Sequence, residues 1–443
     1  MNYVAYTIGP IYETILHSLT GDHKTKRLQA GSKYFSHFMK ELLKNIKDDF
    51  NILVPFIDGD ILQNEYKMGL FHDRFIAQSE KDKEEIKVLF SQHLEKTFIT
   101  MAKDIEGEHV AKSLFESMQN HFIVASKEDL QKIDENIIFA LNKILDAKEL
   151  QREFKLEVEN ENYIQIYQEN HINSSRVKNI EELSEKLGFH YYAVITADGD
   201  KMGTKIKEES TDNVENIKEI SQKLFNFFTD DDDIYTLTNE TFGGELIYAG
   251  GDDILAFLPV KFGDNTFLDY IKVLDERFKE KVGNDVSLSF GVNIAYYKYP
   301  LRDAIENSFA LLHKAKGKES NTLALKITKH SGQYFETVFR LQSQSYKLYK
   351  SLIDDILQQR SKLPHSLHHS LKRYEAAIIE IYKDERKVDA LFKTIFNDAK
   401  DEHKQALTDI QKYLNECKPK TNQEFDDIFS ALSIIKFLRE DRA

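Results

Sequence analysis

Two short glycine-rich segments carry paired aspartates: Asp198-Gly199-Asp200, continuing as Lys201-Met202-Gly203, and Gly250-Gly251-Asp252-Asp253, with Asp252 54 residues after Asp198. Carboxylates are hard oxygen donors, and several of them within a few ångströms repel one another unless a cation or protons intervene. A small donor set that leaves room for water and a phosphate group fits Mg²⁺ or Mn²⁺ rather than zinc. Ions held this way assist in-line displacement at phosphorus, activating a ribose 3′-hydroxyl and stabilising the departing pyrophosphate. Glycines at 199, 203, 250 and 251 leave the backbone open to close approach by phosphates. Either segment alone is also the signature of an ordinary turn, so the metal reading depends on whether the fold brings the two together.

The sequence between and after them supplies elements that do so. Residues 191–197 read as an apolar strand closed by the first segment, 213–228 as a helix, and 246–249 and 254–260 as two strands flanking a hairpin tip at Gly250-Gly251-Asp252-Asp253. After a helix at 266–281, residues 286–295 alternate strictly: Val286, Leu288, Phe290, Val292 and Ile294 on one face, Ser287, Ser289, Gly291, Asn293 and Ala295 on the other. The second face is small enough for a helix or a ligand to come close. A helix at 300–316 and a strand at 322–328 follow. Strand, helix, strand, strand, helix, strand is the split βαβ order of ferredoxin-like domains. In it the strand returning from the hairpin lies between two parallel strands, so the tip sits beside the end of the first strand and Asp198, Asp200, Asp252 and Asp253 converge.

The rest of the chain divides around this unit. Residues 1–120 read as a first α+β domain. A strand at 3–8 ends in Ile8-Gly9-Pro10. An amphipathic helix carrying Tyr34, Phe35, Phe38, Met39, Leu42, Leu43 and Ile46 begins after a break at Ala30-Gly31-Ser32, and strands at 52–57 and 74–77 precede polar helical sequence. Residues 121–187 read as a charged helical connection, 188–335 as the carboxylate-bearing domain, and 336–443 as a helical bundle. The acidic run 230–233 reads as a solvated loop. At 443 residues the chain exceeds one ordinary core. A single cysteine, Cys417, excludes a disulfide framework and a cysteine-based zinc site. The formal charge of −14 argues against a protein that coats nucleic acid through its overall field. No apolar run approaches membrane-spanning length and the amino terminus lacks a secretory pattern, which together predict a cytoplasmic protein without membrane contact.

These residues resemble the large polymerase- and cyclase-like subunit of type III CRISPR effector complexes, in particular its Cmr-type (type III-B) branch. The motifs that carry the likeness are Asp198 to Gly203 and Gly250 to Asp253, supported by Gly291, Lys314-Ala315-Lys316 and Ser331-Gly332; Ile8-Gly9-Pro10 and Ala30-Gly31-Ser32 extend it to the first domain. The resemblance implies an α+β fold with two ferredoxin-like palm domains, the second akin to GGDEF cyclases and polymerase palms, plus a carboxy-terminal helical bundle. It implies that Asp198, Asp252 and Asp253 are catalytic and bind Mg²⁺ or Mn²⁺ with Asp200 in support. Nucleotide would be held by Gly199, Lys201, Met202, Gly203, Gly250, Gly251, Ser331 and Lys316, the last on the triphosphate. Gly31 and Ser32 are weaker candidates for the wall of a second nucleotide site between the palms.

The implied activity is target-RNA-activated conversion of ATP to a cyclic oligoadenylate, in company with the other effector subunits, a guide RNA and a target RNA. Two alternatives stay open: adenylylation of S-adenosylmethionine at the same site, and a scaffold subunit with silent palms. A GTP-using dinucleotide cyclase is the weaker enzymatic rival. The sequence also departs from many family members. It starts at the first palm, its sole His-Asp pair is His72-Asp73, and it lacks the cysteine zinc site, so no HD-type DNA cleavage is expected. Asp58-Gly59-Asp60 has no Gly-Gly-Asp-Asp partner and reads as a turn.

Overall fold

The computed structural model describes residues 1–9, 24–105, 118–150, 179–210, 214–230, 233–317, 319–329, 332–383, 388–396 and 400–440. The amino-terminal part runs β1 (Asn2–Gly9), α1 (Lys24–Ile46), β2 (Asn51–Val54), β3 (Arg74–Ser79), α2 (Lys83–Ile105) and β4 (Gln119–Ser126), with sheet order β2-β3-β1-β4. One helix, α3 (Ile137–Glu149), packs against β4 and β1. The next, α4 (Ile180–Leu187), is started by the Asn179 side chain accepting from Glu182 N and stopped by Gly188 at φ 66°.

The central part runs β5 (Tyr191–Asp200), α5 (Met202–Ser210), α6 (Val214–Thr229), β6 (Glu245–Gly250), β7 (Asp253–Pro259), the small pair β8 (Lys261–Phe262) and β9 (Asn265–Thr266), α7 (Phe267–Val282), β10 (Ser287–Tyr296), α8 (Leu301–Lys316), β11 (Thr322–Thr328) and β12 (Tyr334–Arg340). Its sheet order is β12-β11-β10-β5-β7-β6. Strands β6-β7-β5-β10 thus repeat the second-third-first-fourth order of the amino-terminal sheet, and β11 and β12 extend the second copy. Two ferredoxin-like sheets are present, the central one as the strand order of the sequence predicts and the amino-terminal one as the family resemblance implies.

Strand β5 is apolar on both faces because both are covered. Ala193, Ile195 and Ala197 share a core with α6 and α7, whereas Tyr192 and Val194 pack with Leu301, Ala304 and Ile305 of α8 and with Ile180 and Leu183 of α4. The small face of β10 admits a helix: a Cβ on Gly291 would lie 2.1 Å from Ser308 O and 2.3 Å from Leu312 N, so α8 lies directly on the strand. Beyond β12 the chain continues as α9 (Gln344–Leu357), α10 (Leu367–Arg373), α11 (Glu375–Lys383), α12 (Val388–Phe396), α13 (Lys404–Cys417) and α14 (Asn422–Glu440). Phe339 of β12 stacks on Tyr349 of α9 at 4.5 Å, and Tyr349 meets Tyr413 of α13, so these helices close the edge of the central core.

The structure departs from the sequence reading at several elements. Ala30-Gly31-Ser32 does not break a helix: α1 runs through it, and the small residues admit the neighbouring loop, since a Cβ on Gly69 would lie 2.5 Å from Ser32 Oγ. Residues 121–126, read as the start of a helical connection, belong with 119–120 to the edge strand β4 of the first sheet. Residues 334–340 form β12, so that strand continues past 335, where the helical domain was expected to begin; Tyr-Phe-Glu-Thr-Val-Phe-Arg is rich in strand formers and pairs antiparallel with β11. Helix α5 was not anticipated. Asp58-Gly59-Asp60 is a turn, with Gly59 at φ 52°. Pro10 and Ser331 lie outside the described residues. Among the described residues no helix is long and apolar enough to cross a membrane.

Candidate active site

Strand β5 delivers Asp198 at its carboxyl end, and the β6–β7 hairpin delivers Asp252 and Asp253 at its tip, where Gly250 pairs with Asp253. The two motifs meet closely. A Cβ on Gly199 would lie 2.7 Å from Asp252 Oδ2 and 2.9 Å from Asp252 Cβ, so only glycine fits between the strand end and the hairpin. The Gly199 backbone N–H donates to the Asp252 carboxylate, and the Asp253 and Asp198 carboxyls are within hydrogen-bonding reach of each other.

This crowding raises the proton affinity of the hairpin carboxyls. Burial, then the neighbouring Asp198, push Asp252 up to about 6, while Lys316 pulls the other way. Asp253 keeps one side open to solvent, yet the protein around its carboxyl, and then Asp252 and Asp198, hold it well above the ordinary carboxylate range. A cation answers this repulsion. Lys316, in the last turn of α8, bonds the Asp198 carboxylate and donates to Gly199 O at 3.1 Å.

Asp200 stands apart. Its carboxylate turns into the protein and accepts from Ser287 Oγ, Ser289 Oγ and the Asn321 backbone N–H. Of the other residues singled out in the sequence, Lys201 sits exposed at φ 61° in the turn from β5 to α5, and Met202 is buried against Gly199. Gly203 faces Phe139 of α3. The segment that leads into β3 covers the hairpin glycines: Leu70 O approaches Gly250, and the ring of His72 lies over Gly251, itself at φ 70°. Gly31 and Ser32 are buried inside α1. Cys417 lies beside Tyr413 in the carboxy-terminal helices, its thiol pushed up to about 11 by burial.

Between the two sheets a cavity of about 390 Å³ opens onto Gly251, Asp252 and Asp253. Its walls are mostly apolar, including Phe56 and, from α6, Ile217, Leu224 and Phe225, and its polar end is made by His72, Asp73 and Arg74. The protein around His72 pushes its imidazole down to about 4, and desolvation pushes Asp73 up to about 6 against the pull of Arg74. Arg74 in turn pairs with Asp146 at 2.7 Å and Glu149 at 2.8 Å on α3. Sequence reading set His72-Asp73 aside as an isolated pair at a strand entry; only the three-dimensional apposition of the sheets brings it to the hairpin.

The donor set suits a divalent cation. It offers hard oxygens, it concentrates negative charge that the protein does not neutralise beyond Lys316, and it opens to a cavity. Among the described residues no three His, Cys, Asp or Glu side chains form a ready-made metal cage. Such an ion would therefore complete its shell with water or substrate oxygens, as Mg²⁺ commonly does.

Residues 191–324 match the model of the Cas10/Cmr2 family, second palm domain. This stretch is similar to the second palm domain of that family. The Cmr2 subunit of the CRISPR system Cmr of Pyrococcus furiosus is 36% identical over 176 residues, an alignment that covers 33% of this chain and 19% of that protein. The chain thus aligns with about a fifth of the length of that curated relative. Among solved structures, the Csm1–Csm4 cassette in complex with cA4 superposes with a TM-score of 0.57 at 15% identity, over 99% of this chain and 70% of that one. Type III-B Cmr-beta bound to cognate target RNA gives 0.55 at 11% identity, over 99% and 83%. Csm1 of T. onnurineus gives 0.53 at 13%, over 99% and 69%. At these identities the likeness is one of fold, and it extends beyond the palm to both the amino-terminal sheet and the carboxy-terminal helices.

Proposed function

We propose that this chain is the large subunit of a type III-B CRISPR effector complex and that its second palm, when target RNA is bound, joins ATP molecules into a cyclic oligoadenylate. The observation that carries the reading is the apposition of Asp198 with Asp252 and Asp253 at the mouth of a cavity between two ferredoxin-like sheets. The fold likeness to Csm1–Csm4 cassettes solved with cA4, pppApA and ATP supports it.

In this reading Asp198, Asp252 and Asp253 hold Mg²⁺ or Mn²⁺. The ion supplies activation of a 3′-hydroxyl and charge neutralisation on the departing pyrophosphate. Lys316, already at the strand end on Asp198 and Gly199 O, would offer its ammonium to the triphosphate. The Gly199 N–H fixes Asp252 so that the hairpin carboxyl faces the reacting phosphate. The apolar walls at Phe56 and Phe225 offer a dry seat for a base, and about 390 Å³ falls in the range of small-ligand cavities.

The test is to assemble the chain with partner subunits and guide RNA, add target RNA, Mn²⁺ and labelled ATP with and without S-adenosylmethionine, and identify products by mass. Cyclic oligoadenylate formed only with target establishes the activity. A product that contains S-adenosylmethionine replaces the acceptor, and silence from an intact complex moves the chain to a scaffold role.

A further inference from the structure

Asp200 ends β5 two residues beyond Asp198, yet it is only 5% exposed and every hydrogen bond it accepts comes from a neutral group. Ser287 Oγ donates at 2.8 Å, Ser289 Oγ lies 2.8 and 2.9 Å from the two carboxylate oxygens, and Asn321 N–H donates at 2.7 Å. Asn321 holds its backbone at φ 59°, in the left-handed region that asparagine tolerates better than most side chains. That conformation aims its N–H at Asp200 while its side-chain amide donates to Asp275 Oδ1 at 2.7 Å and to Leu288 O at 3.3 Å. Asp275 also accepts from Leu288 N at 3.1 Å and pairs with Lys279 on α7.

One polar knot therefore ties the end of β5, the starts of β10 and β11, and α7. Its register matters. Ser289 stands opposite Asp198 and Leu288 opposite Gly199, so the residues that grip Asp200 are the cross-strand partners of the segment that presents the reactive carboxylate. A buried carboxylate saturated by oriented donors resists rotation, because each lost bond leaves an unsatisfied buried group.

We propose that Asp200 is a positioning residue and not a ligand of the cation: gripped by Ser287, Ser289 and Asn321, it fixes the strand end so that Asp198 and Gly199 face the hairpin. The inference deepens the nucleotidyl-transfer reading above and rests on it.

The test uses the full chain with Asp198→Asn, Asp200→Asn and the double variant Ser287→Ala with Ser289→Ala, which keeps every carboxylate. Mn²⁺ alone is titrated into each by calorimetry, and kcat and KM for ATP are measured in the assembled complex. Asp200→Asn and the double serine variant are expected to bind as many Mn²⁺ per chain as the parent, while kcat falls at least tenfold and KM moves less than threefold. Asp198→Asn is expected to lose Mn²⁺. Circular dichroism confirms folding, and Ser287→Ala alone serves if the double variant does not fold. Loss of Mn²⁺ from Asp200→Asn with the serine variant intact makes Asp200 a ligand and overturns the proposal. Unchanged kcat in the serine variant overturns it as well, as does a parent chain that takes up no Mn²⁺. If the parent binds Mn²⁺ but makes no product, the nucleotidyl-transfer reading fails while the calorimetric comparison still decides the place of Asp200.

Discussion

Replacing Gly251 with alanine tests the contact between the first domain, through His72, and the Gly250–Asp253 hairpin. The Cβ would arrive 1.9 Å from His72 Cε1 and 2.8 and 2.9 Å from the two ring nitrogens, on a backbone at φ 70°. Two costs follow. Holding a non-glycine residue in the left-handed region costs about 1–2 kcal/mol. His72 lines the cavity and its ring has space to swing, so displacing it costs about 1 kcal/mol, the scale of an off-rotamer side chain, rather than a full overpacking penalty. Together these come to roughly 2–3 kcal/mol, a drop on the order of 5–10 °C for a unit the size of the central domain.

The double variant with His72→Ala separates the costs, since it removes the clash and leaves the backbone strain. Midpoints from thermal melts of the single and double variants, read with oligoadenylate synthesis, give the coupling. Gly251→Ala is also expected to lower turnover: with the ring displaced, what remains is the backbone strain beside Asp252, and each displacement of the tip near 1 Å that it causes costs about 100-fold. A Gly251→Ala chain with parental stability and turnover refutes the reasoning, and a clash that His72→Ala does not relieve refutes the part that assigns it to the first domain.

Asp252→Asn with Asp253→Asn abolishes product, to below a thousandth of the parental rate by mass-spectrometric assay, and in chelator melts no lower than the parent because repelling carboxylates have been removed. Adding Mn²⁺ to the chelated parent raises its melting midpoint, by about 2.7 kcal/mol of stabilisation at a hundred times the dissociation constant, and leaves that double variant unmoved. His368 is held near 4 by burial, with Lys436, His369 and Lys329 adding to the effect; its Nε2 meets Ser433 Oγ at 2.9 Å while Nδ1 has no partner among the described residues. A histidine depressed in the fold binds protons better when unfolded, so the carboxy-terminal helices lose on the order of 1 kcal/mol as pH falls from about 6.5 toward 4, and His368→Gln flattens that slope in pH-dependent melts. Gly291→Ala forces α8 off β10, displaces Lys316 with it, and lowers both stability and turnover, whereas Gly263→Ala, whose Cβ meets nothing within 4 Å, leaves turnover unchanged.

The central domain was legible because its signals agree across levels. Strict alternation over 286–295, a Gly-Gly tip between two apolar runs and a strand ending in Asp-Gly-Asp each specify a local shape, and the split βαβ order then dictates which ends are neighbours. The amino-terminal sheet was half legible. Its strand β4 follows a stretch with no sharp periodicity, and Gly31 and Ser32 imitate a helix stop when their purpose is to let Gly69 pack against the helix. Strand β12 was missed because its buried face is short: only Thr337 and Phe339 are buried, too brief a run for a period of two to stand out before the helices that follow. The grip on Asp200 was illegible for a different reason: its donors come from residues 287, 289 and 321, and nothing in their local sequence distinguishes a serine that bonds a carboxylate from one that merely suits a crowded face.

The charged groups of the candidate site, Asp198, the hairpin pair Asp252 and Asp253, and Lys316, are held by three separately packed supports. Asp198 depends on the knot at the end of β5, the hairpin on the first domain through Leu70 and His72, and Lys316 on α8, which the missing side chain at Gly291 lets settle on β10. Only the second of these supports belongs to another domain. A relative movement of the two sheets therefore reaches Asp252 and Asp253 without disturbing Asp198, and it alters the gap between them rather than the site as a whole. Since repulsion between like charges depends steeply on that gap when water is excluded, a small displacement changes how well one cation bridges strand and hairpin. Control of this site is thus expected at the interface of the sheets and not within the second palm: substitutions at His72 change the Mn²⁺ dependence of turnover, and substitutions on the far side of α8, such as Arg302→Ala, do not.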